Sequence, residues 1–191
     1  RHGSVVSVTQ TELEGIIAGK PIATPTSTPT PTSTPTPTSN TYSISGFVSP
    51  DFSYSESSKP ALVSGFKVEV LETGHSSTTD QNGYFIIKDI PKSTSGYSIK
   101  ISKEGYLFHK INNISVNSNV QLSTQASPIK LIAGDLNGDN AINMSDIIVL
   151  AKSFNSISGD FKYSQSIDLN RDGAINMSDV LIIAMNFNKT N

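Results

Sequence analysis

Gly134-Asp-Leu-Asn-Gly-Asp-Asn-Ala-Ile-Asn-Met-Ser-Asp146 returns 33 residues later as Ile167-Asp-Leu-Asn-Arg-Asp-Gly-Ala-Ile-Asn-Met-Ser-Asp179. Extended to Asn155 and Asn188, the two stretches share 13 of 22 residues. The matches fall on oxygen-bearing side chains: Asp135, Asn137, Asp139, Asn143 and Asp146 correspond to Asp168, Asn170, Asp172, Asn176 and Asp179. Oxygen donors at positions 1, 3, 5, 9 and 12 of a loop suit a hard cation, and Ca²⁺ is the leading candidate.

Each repeat reads as a twelve-residue loop. Positions 1, 3 and 5 supply side-chain oxygens, and position 7 (Ala141, Ala174) supplies a main-chain carbonyl. Position 9 (Asn143, Asn176) contributes directly or through water, and position 12 (Asp146, Asp179) closes the shell with a carboxylate. The apolar position 8, Ile142 and Ile175, is expected to pack the two loops against each other. Position 6 is Gly173 in one loop and Asn140 in the other. Asn tolerates the left-handed region better than most residues other than Gly, so the first site is expected to survive but to be the weaker. An Asp/Asn-rich surface turn would account for one such loop; two loops in one register argue against it. Three carboxylates per loop repel one another, two Ca²⁺ ions offset four of the six charges, and the cation-free region is expected to be loose or unfolded.

The loops depart from an EF-hand. Position 12 is Asp in place of Glu, and Pro128-Ile-Lys-Leu-Ile-Ala-Gly134 reads as strand or linker where a leading helix would stand. Each loop instead runs into a single helix, expected at Ser145–Phe154 and Ser178–Phe187, with Ser145 and Ser178 as N-caps and Asp146 and Asp179 in the first turn. Ile147-Ile-Val-Leu-Ala151 and Val180-Leu-Ile-Ile-Ala-Met185 are apolar nearly all round, so each helix has a second face to cover. A protein partner would cover it; burial within the fold and against a neighbouring domain is the plainer account.

The chain of 191 residues has room for one large domain or two small ones with a linker, and its net charge of −2 offers no basic surface for nucleic acid. No apolar run approaches the roughly 20 residues of a membrane helix, and Val5–Ile22 is too polar for a signal-peptide core. The absence of cysteine removes disulfides and thiolate sites. Residues 1–20 stay unassigned. Residues 21–40 carry a Thr/Pro tract, Thr24 to Ser39, expected to be an extended spacer of the kind that is O-glycosylated in exported proteins.

Residues 41–128 read as strands. Phe66, Val68 and Val70 alternate with Lys67 and Glu69; Tyr97, Ile99 and Ile101 alternate with Ser98, Lys100 and Ser102. Between them Asn82-Gly83 is a turn signal expected to use positive φ. The run Thr79-Asp80…Gly83-Tyr84-Phe85…Ile90-Pro91…Tyr97–Ile101…Gly105-Tyr106 resembles a carboxypeptidase-regulatory-like, immunoglobulin-type sandwich, which in cellulosomal proteins is the X-module. The duplicated loop–helix over 129–191 resembles the dockerin. The expected fold is therefore multidomain: an all-β immunoglobulin-like sandwich followed by a small all-α dockerin with two calcium loop–helix repeats.

The resemblance implies a non-catalytic, extracellular, cell-surface adaptor whose dockerin binds a cohesin, attaching a cellulosome scaffold to an anchoring protein, with the X-module packed on the dockerin as support. In that family, loop positions 10 and 11 and the following helix face the cohesin. Carried over, these are Met144, Ser145, Ile148, Ala151 and Lys152 in the first repeat and Met177, Ser178, Leu181, Ala184 and Met185 in the second. Met-Ser in place of a Ser/Thr pair favours a type II cohesin, and its presence in both repeats raises the prospect of two binding orientations. Two other classes fare worse. An enzyme finds no site in the isolated His2, His75 and His109, nor in Glu69 and Glu104. The alternative is a carbohydrate- or cell-wall-binding sandwich with a calcium-stabilised appendage; it would need an aromatic strip, whereas Tyr42, Tyr54, Tyr84, Tyr97 and Tyr106 are scattered.

Overall fold

A computed structural model describes residues 40–191; segment 1–20, the linker up to residue 39 and His2 lie outside the described residues. In chain order the elements are β1 (Thr41–Pro50), α1 (Lys59–Val63), β2 (Lys67–Val70), β3 (Ser76–Thr78), β4 (Tyr84–Pro91), β5 (Ser93–Ser102), β6 (His109–Val116), β7 (Val120–Gln121) and β8 (Ile129–Leu131). They continue with α2 (Met144–Ala151), β9 (Ser156–Ile157), β10 (Ala174–Ile175) and α3 (Met177–Met185).

Strand β1 organises the first sheet. It pairs antiparallel with β4, with Ile44 opposite Ile87 and Phe47 opposite Tyr84. On its other side it pairs parallel with β7 through Ile44–Val120 and with β8 through Val48–Ile129 to Pro50–Leu131. The second sheet is antiparallel in the order β3-β2-β5-β6. Period-two alternation decides which side chains meet between the sheets: Ile44, Val48, Phe85 and Ile87 from one, and Val68, Val70, Ile99 and Ile101 from the other, all buried. Truncating one of these isoleucines to alanine would cost about 2–5 kcal/mol.

The turn at Asn82-Gly83 differs from the expectation. Only Gly83 takes a positive φ, 79°, and the turn carries the chain from β3 in one sheet to β4 in the other. The Asp80 carboxylate fixes it by accepting the Asn82 and Tyr84 amides at 2.8 and 2.9 Å.

The fold-class expectation fails on two points. The sandwich region is not all-β, because Lys59–Val63 forms a short helix that buries Leu62 and Val63. The C-terminal region is not all-α. Its helices have eight and nine residues, β9 and β10 form a two-stranded sheet, and Ala141 bridges Thr190. The reason lies in Ile142 and Ile175, each 0% exposed: a chain that buries such a residue beside a polar loop must pair its backbone locally.

The described residues, from Asn40 onward, form one compact unit. Residues 133–134 tie the sandwich to the loops: Ala133 bridges Tyr106, the Leu107 amide donates to Ile132 at 2.9 Å, and the Gly134 amide donates to Gly105 at 2.8 Å. Gly105 sits under both loops. A Cβ there would stand 3.4 Å from Leu169 Cδ2 and 3.7 Å from Leu136 Cδ2, on a backbone at φ 83°. One hydrophobic cluster runs from Ile44 and Phe66 through Leu131 and Ala133 to Ile142, Leu169, Ile175 and Ile183.

Candidate metal loops and docking faces

The two loops share a hydrogen-bond scheme. At positions 3 and 5, the Asn137 side-chain amide donates to Asp139 Oδ2 at 2.8 Å and Asn137 Oδ1 accepts the Asp139 amide; Asn170 and Asp172 repeat this at 2.9 Å. Asp139 Oδ1 and Asp172 Oδ1 accept the amides of Ala141 and Ala174. At position 12, Asp146 Oδ1 accepts the Leu136 amide and Oδ2 the Asn143 amide, both at 2.8 Å. Asp179 does the same with Leu169 and Asn176 at 2.8 and 2.9 Å.

This geometry moves the helix caps. Asn143 and Asn176, not Ser145 and Ser178, are the N-caps; their side-chain oxygens accept the Ser145 and Ser178 amides, and Asp146 and Asp179 complete capping boxes. A carboxamide on an extended residue reaches the amides of the first turn, whereas Ser145 and Ser178 already lie within it. The helices accordingly start at Met144 and Met177.

Charge is concentrated where water is scarce. Asp135, Asp146, Asp168 and Asp179 are all buried. Burial raises the carboxyl pKa of Asp135, with the Asp146 and Asp139 charges adding to it. Asp179 is raised first by burial and further by Asp168. Among the described residues no three His, Cys, Asp or Glu side chains gather to hold an ion by themselves, so amide and main-chain oxygens must complete any shell. The residues fit such an ion: Asp168 Oδ1 is buried without a hydrogen-bond partner, a state that a hard cation would relieve.

Position 6 brings a second revision. Asn140 takes φ 67° and Gly173 φ 89°, but position 4 is also left-handed, Gly138 at 74° and Arg171 at 58°. Each loop therefore carries one glycine and one residue with a Cβ in that region, and the backbone gives no ground for ranking the first site as weaker.

Ile142 and Ile175 form no backbone bridge with each other, though both belong to the one hydrophobic cluster. Ile142 exchanges backbone hydrogen bonds with Asn188 and Lys189, which lie just beyond α3, while Ile175 accepts the Asn155 amide and pairs with Ser156, which lie just beyond α2. Each loop is thus closed by the chain leaving the other loop's helix. The arrangement obeys the 33-residue offset, an internal near-twofold.

The ten residues carried over as partner-facing are all exposed. Their exposures match across the repeats: Met144 59% and Met177 58%, Ile148 57% and Leu181 56%. Opposite faces of the helices supply the core through Leu150, Ile182 and Ile183. The two faces part company at their ends. Beside α3 a groove of about 270 Å³ is lined by Phe52 and Ser53 of the sandwich together with Ser178, Leu181 and Met185. Three contacts were not foreseen: the Tyr163 hydroxyl on Asp168, the Arg171 carbonyl accepting from Ser58, and Lys189 near Asp51. Tyr163 lies outside the repeated stretch, so no alignment of the repeats flags it.

Residues 133–188 match the family model of the dockerin type I domain. The chain is 39% identical over 127 residues to cellulosomal-scaffolding proteins B and A of Acetivibrio thermocellus, 66% of this chain in each case. It spans only a small part of these relatives, 16% and 7% of their lengths. Two crystal structures, C-terminal and N-terminal interface mutants of a type II cohesin–X-dockerin complex from Acetivibrio cellulolyticus, superpose at a TM-score of 0.73 with 45% identity. They cover 78% of this chain and 97% of the solved chain. Dockerins bind calcium, and by sequence, loop register and fold the chain belongs to the X-module–dockerin family.

Proposed function

We propose that this chain is a non-catalytic, calcium-dependent adaptor: its dockerin part captures a type II cohesin, and its sandwich braces the dockerin. The observation that carries the reading is the pair of equally exposed apolar faces, Met144–Ile148 and Met177–Leu181, each standing directly on a calcium loop. Apolar side chains that stay more than half exposed on a helix already anchored by its other face suit a protein partner, and methionine adapts well to one. The family model carries the type I label, but Met-Ser at positions 10 and 11, with likeness to chains from type II complexes, supports a type II partner.

Two Ca²⁺ ions would be held by Asp135, Asn137, Asp139, Ala141, Asn143 and Asp146 in one loop and by Asp168, Asn170, Asp172, Ala174, Asn176 and Asp179 in the other. What they supply is charge neutralisation that sets the helix starts. The division into 41–128 and 129–191 is then one of role, with β8 tying the second part into the first sheet. The likeness to scaffoldins supports a place outside the cell, at a cellulosome anchored to the cell surface; no helix among the described residues is long and apolar enough to cross a membrane.

Isothermal titration against type I and type II cohesins, with Ca²⁺ and with EDTA, tests this. Calcium-dependent binding to the type II cohesin alone is expected. Absence of binding to either, with the fold intact in Ca²⁺, would overturn the adaptor reading and leave the cell-wall or glycan alternative.

A further inference from the structure

Tyr163 stands five residues ahead of Asp168, before the repeated stretch begins. Its hydroxyl donates to Asp168 Oδ2 at 2.7 Å, and the Gly173 amide donates to the same oxygen at 2.9 Å. The other oxygen, Oδ1, is buried and accepts no hydrogen bond. The first loop is built differently. Asp135 spreads its donors over both oxygens, Gly138 N–H on Oδ1 at 2.8 Å and Asn140 N–H on Oδ2 at 3.0 Å. Thirty-three residues before Tyr163 stands Lys130, whose ammonium goes to the Pro50 carbonyl.

We propose that Tyr163 is a positioning residue for the cation of the second loop: by holding Oδ2 it fixes the Asp168 carboxylate and leaves Oδ1 free as a metal ligand. A ligating carboxylate whose second oxygen is held by an outer hydrogen-bond donor keeps its orientation before the ion arrives, and losing such a donor weakens metal binding. Among the described residues Asp135 has no side-chain donor of this kind, so the two sites differ in an outer contact that the repeat itself conceals. The proposal rests on reading the loops as calcium sites.

The test uses the full chain and Ca²⁺ calorimetry, with Tb³⁺ as a second probe, since the chain has no Trp and Tyr excitation reaches a nearby Tb³⁺. Tyr163→Phe is expected to weaken one step of a two-step Ca²⁺ isotherm by roughly 10-fold or more and to leave the other unchanged. The weakened step should be the one that Asp168→Asn removes. In an Asp135→Asn background the loss should appear in full, and in an Asp168→Asn background it should vanish. Tyr163→Phe should keep its circular dichroism at saturating Ca²⁺, which separates positioning from folding. Unchanged affinity at both steps, or equal weakening of both, overturns the proposal. A Tb³⁺ and Ca²⁺ response untouched by Asp168→Asn removes the calcium reading of this loop itself, and the proposal with it.

Discussion

The Ile142 amide donates to the Lys189 carbonyl at 2.9 Å, and Ile142 in turn accepts the Asn188 amide at 2.8 Å. The first candidate metal loop is therefore closed by residues just beyond the second helix of the repeat, while Asn155 and Ser156 close the second loop in the same way. Removing residues 188–191 should expose Ile142 and orphan two backbone groups, a loss of about 2 kcal/mol. Thermal unfolding should report it, and Ca²⁺ titration should show the first site weakened more than the second. Lys189 also approaches Asp51 at 3.8 Å, a partly exposed pair that adds little, and donates to Asn186 Oδ1 at 2.6 Å, so Lys189→Ala alone should cost about 1 kcal/mol, chiefly through the Asn186 bond.

The matched faces predict how cohesin binding responds to substitution. Met144→Asp with Ile148→Asp should leave binding largely intact, and Met177→Asp with Leu181→Asp should lower it more, because that face continues into the groove with Phe52. All four together should abolish it, since a buried charge in each face removes a central contact worth about 2 kcal/mol or more. Loss of binding from the first pair alone would mean that one orientation serves. Titration calorimetry against a type II cohesin reads all three variants.

Calcium removal should act unevenly along the chain. The sandwich core depends on Ile44, Val68 and Ile99, far in kind from any charge, whereas α2 and α3 start on capping boxes built from candidate calcium ligands. EDTA should therefore remove most of the helical signal, leaving that of α1, while amides of β1, β4 and β5 stay protected from hydrogen exchange. Uniform loss of protection would instead show that the two parts fold as one cooperative unit.

Lys103 makes stability pH-dependent at the junction. Its ammonium donates to the carbonyls of Leu62 and Ser64 at 2.8 and 2.7 Å and lies 4.5 Å from the centre of the Phe66 ring. Burial lowers its pKa from 10.5 to about 8, and the Arg171 guanidinium adds to the shift. Between those values the unfolded chain binds more protons than the folded one, so stability should rise with pH from about 8. Above about pH 10 Tyr163, pushed up to about 12 by burial and by its bond to Asp168, reverses the trend, because the unfolded tyrosine loses its proton first. Chemical denaturation from pH 7 to 11 should show the maximum. Arg171→Gln should move the Lys103 midpoint upward, as read by NMR of its side chain.

Backbone strain predicts gains. Asn140→Gly should stabilise the first loop, by somewhat under 1 kcal/mol, because φ 67° is open to glycine without a Cβ clash. Thermal unfolding in saturating Ca²⁺ measures it.

The loop repeat and the strands were legible because they rest on local chemistry. Oxygen-bearing side chains at fixed spacing in a loop act within a dozen residues, and Val68–Val70 or Ile99–Ile101 declare a buried face by alternation alone. The helix caps were visible too, as Asn143 with Asp146, but the same residues read equally well as metal ligands, and the serine nearby drew the cap assignment too far along the chain. What tertiary structure decided is non-local: that β8 joins β1, that Gly105 underlies Leu136 and Leu169, that Tyr163 reaches Asp168, and that each loop is clasped by the tail of the other helix. The strand pairing and the two clasps are made by backbone groups, which nearly every residue type carries, and the Tyr163 and Gly105 contacts join residues that only the folded chain brings together, so none of them leaves a periodicity or a composition for a sequence to display.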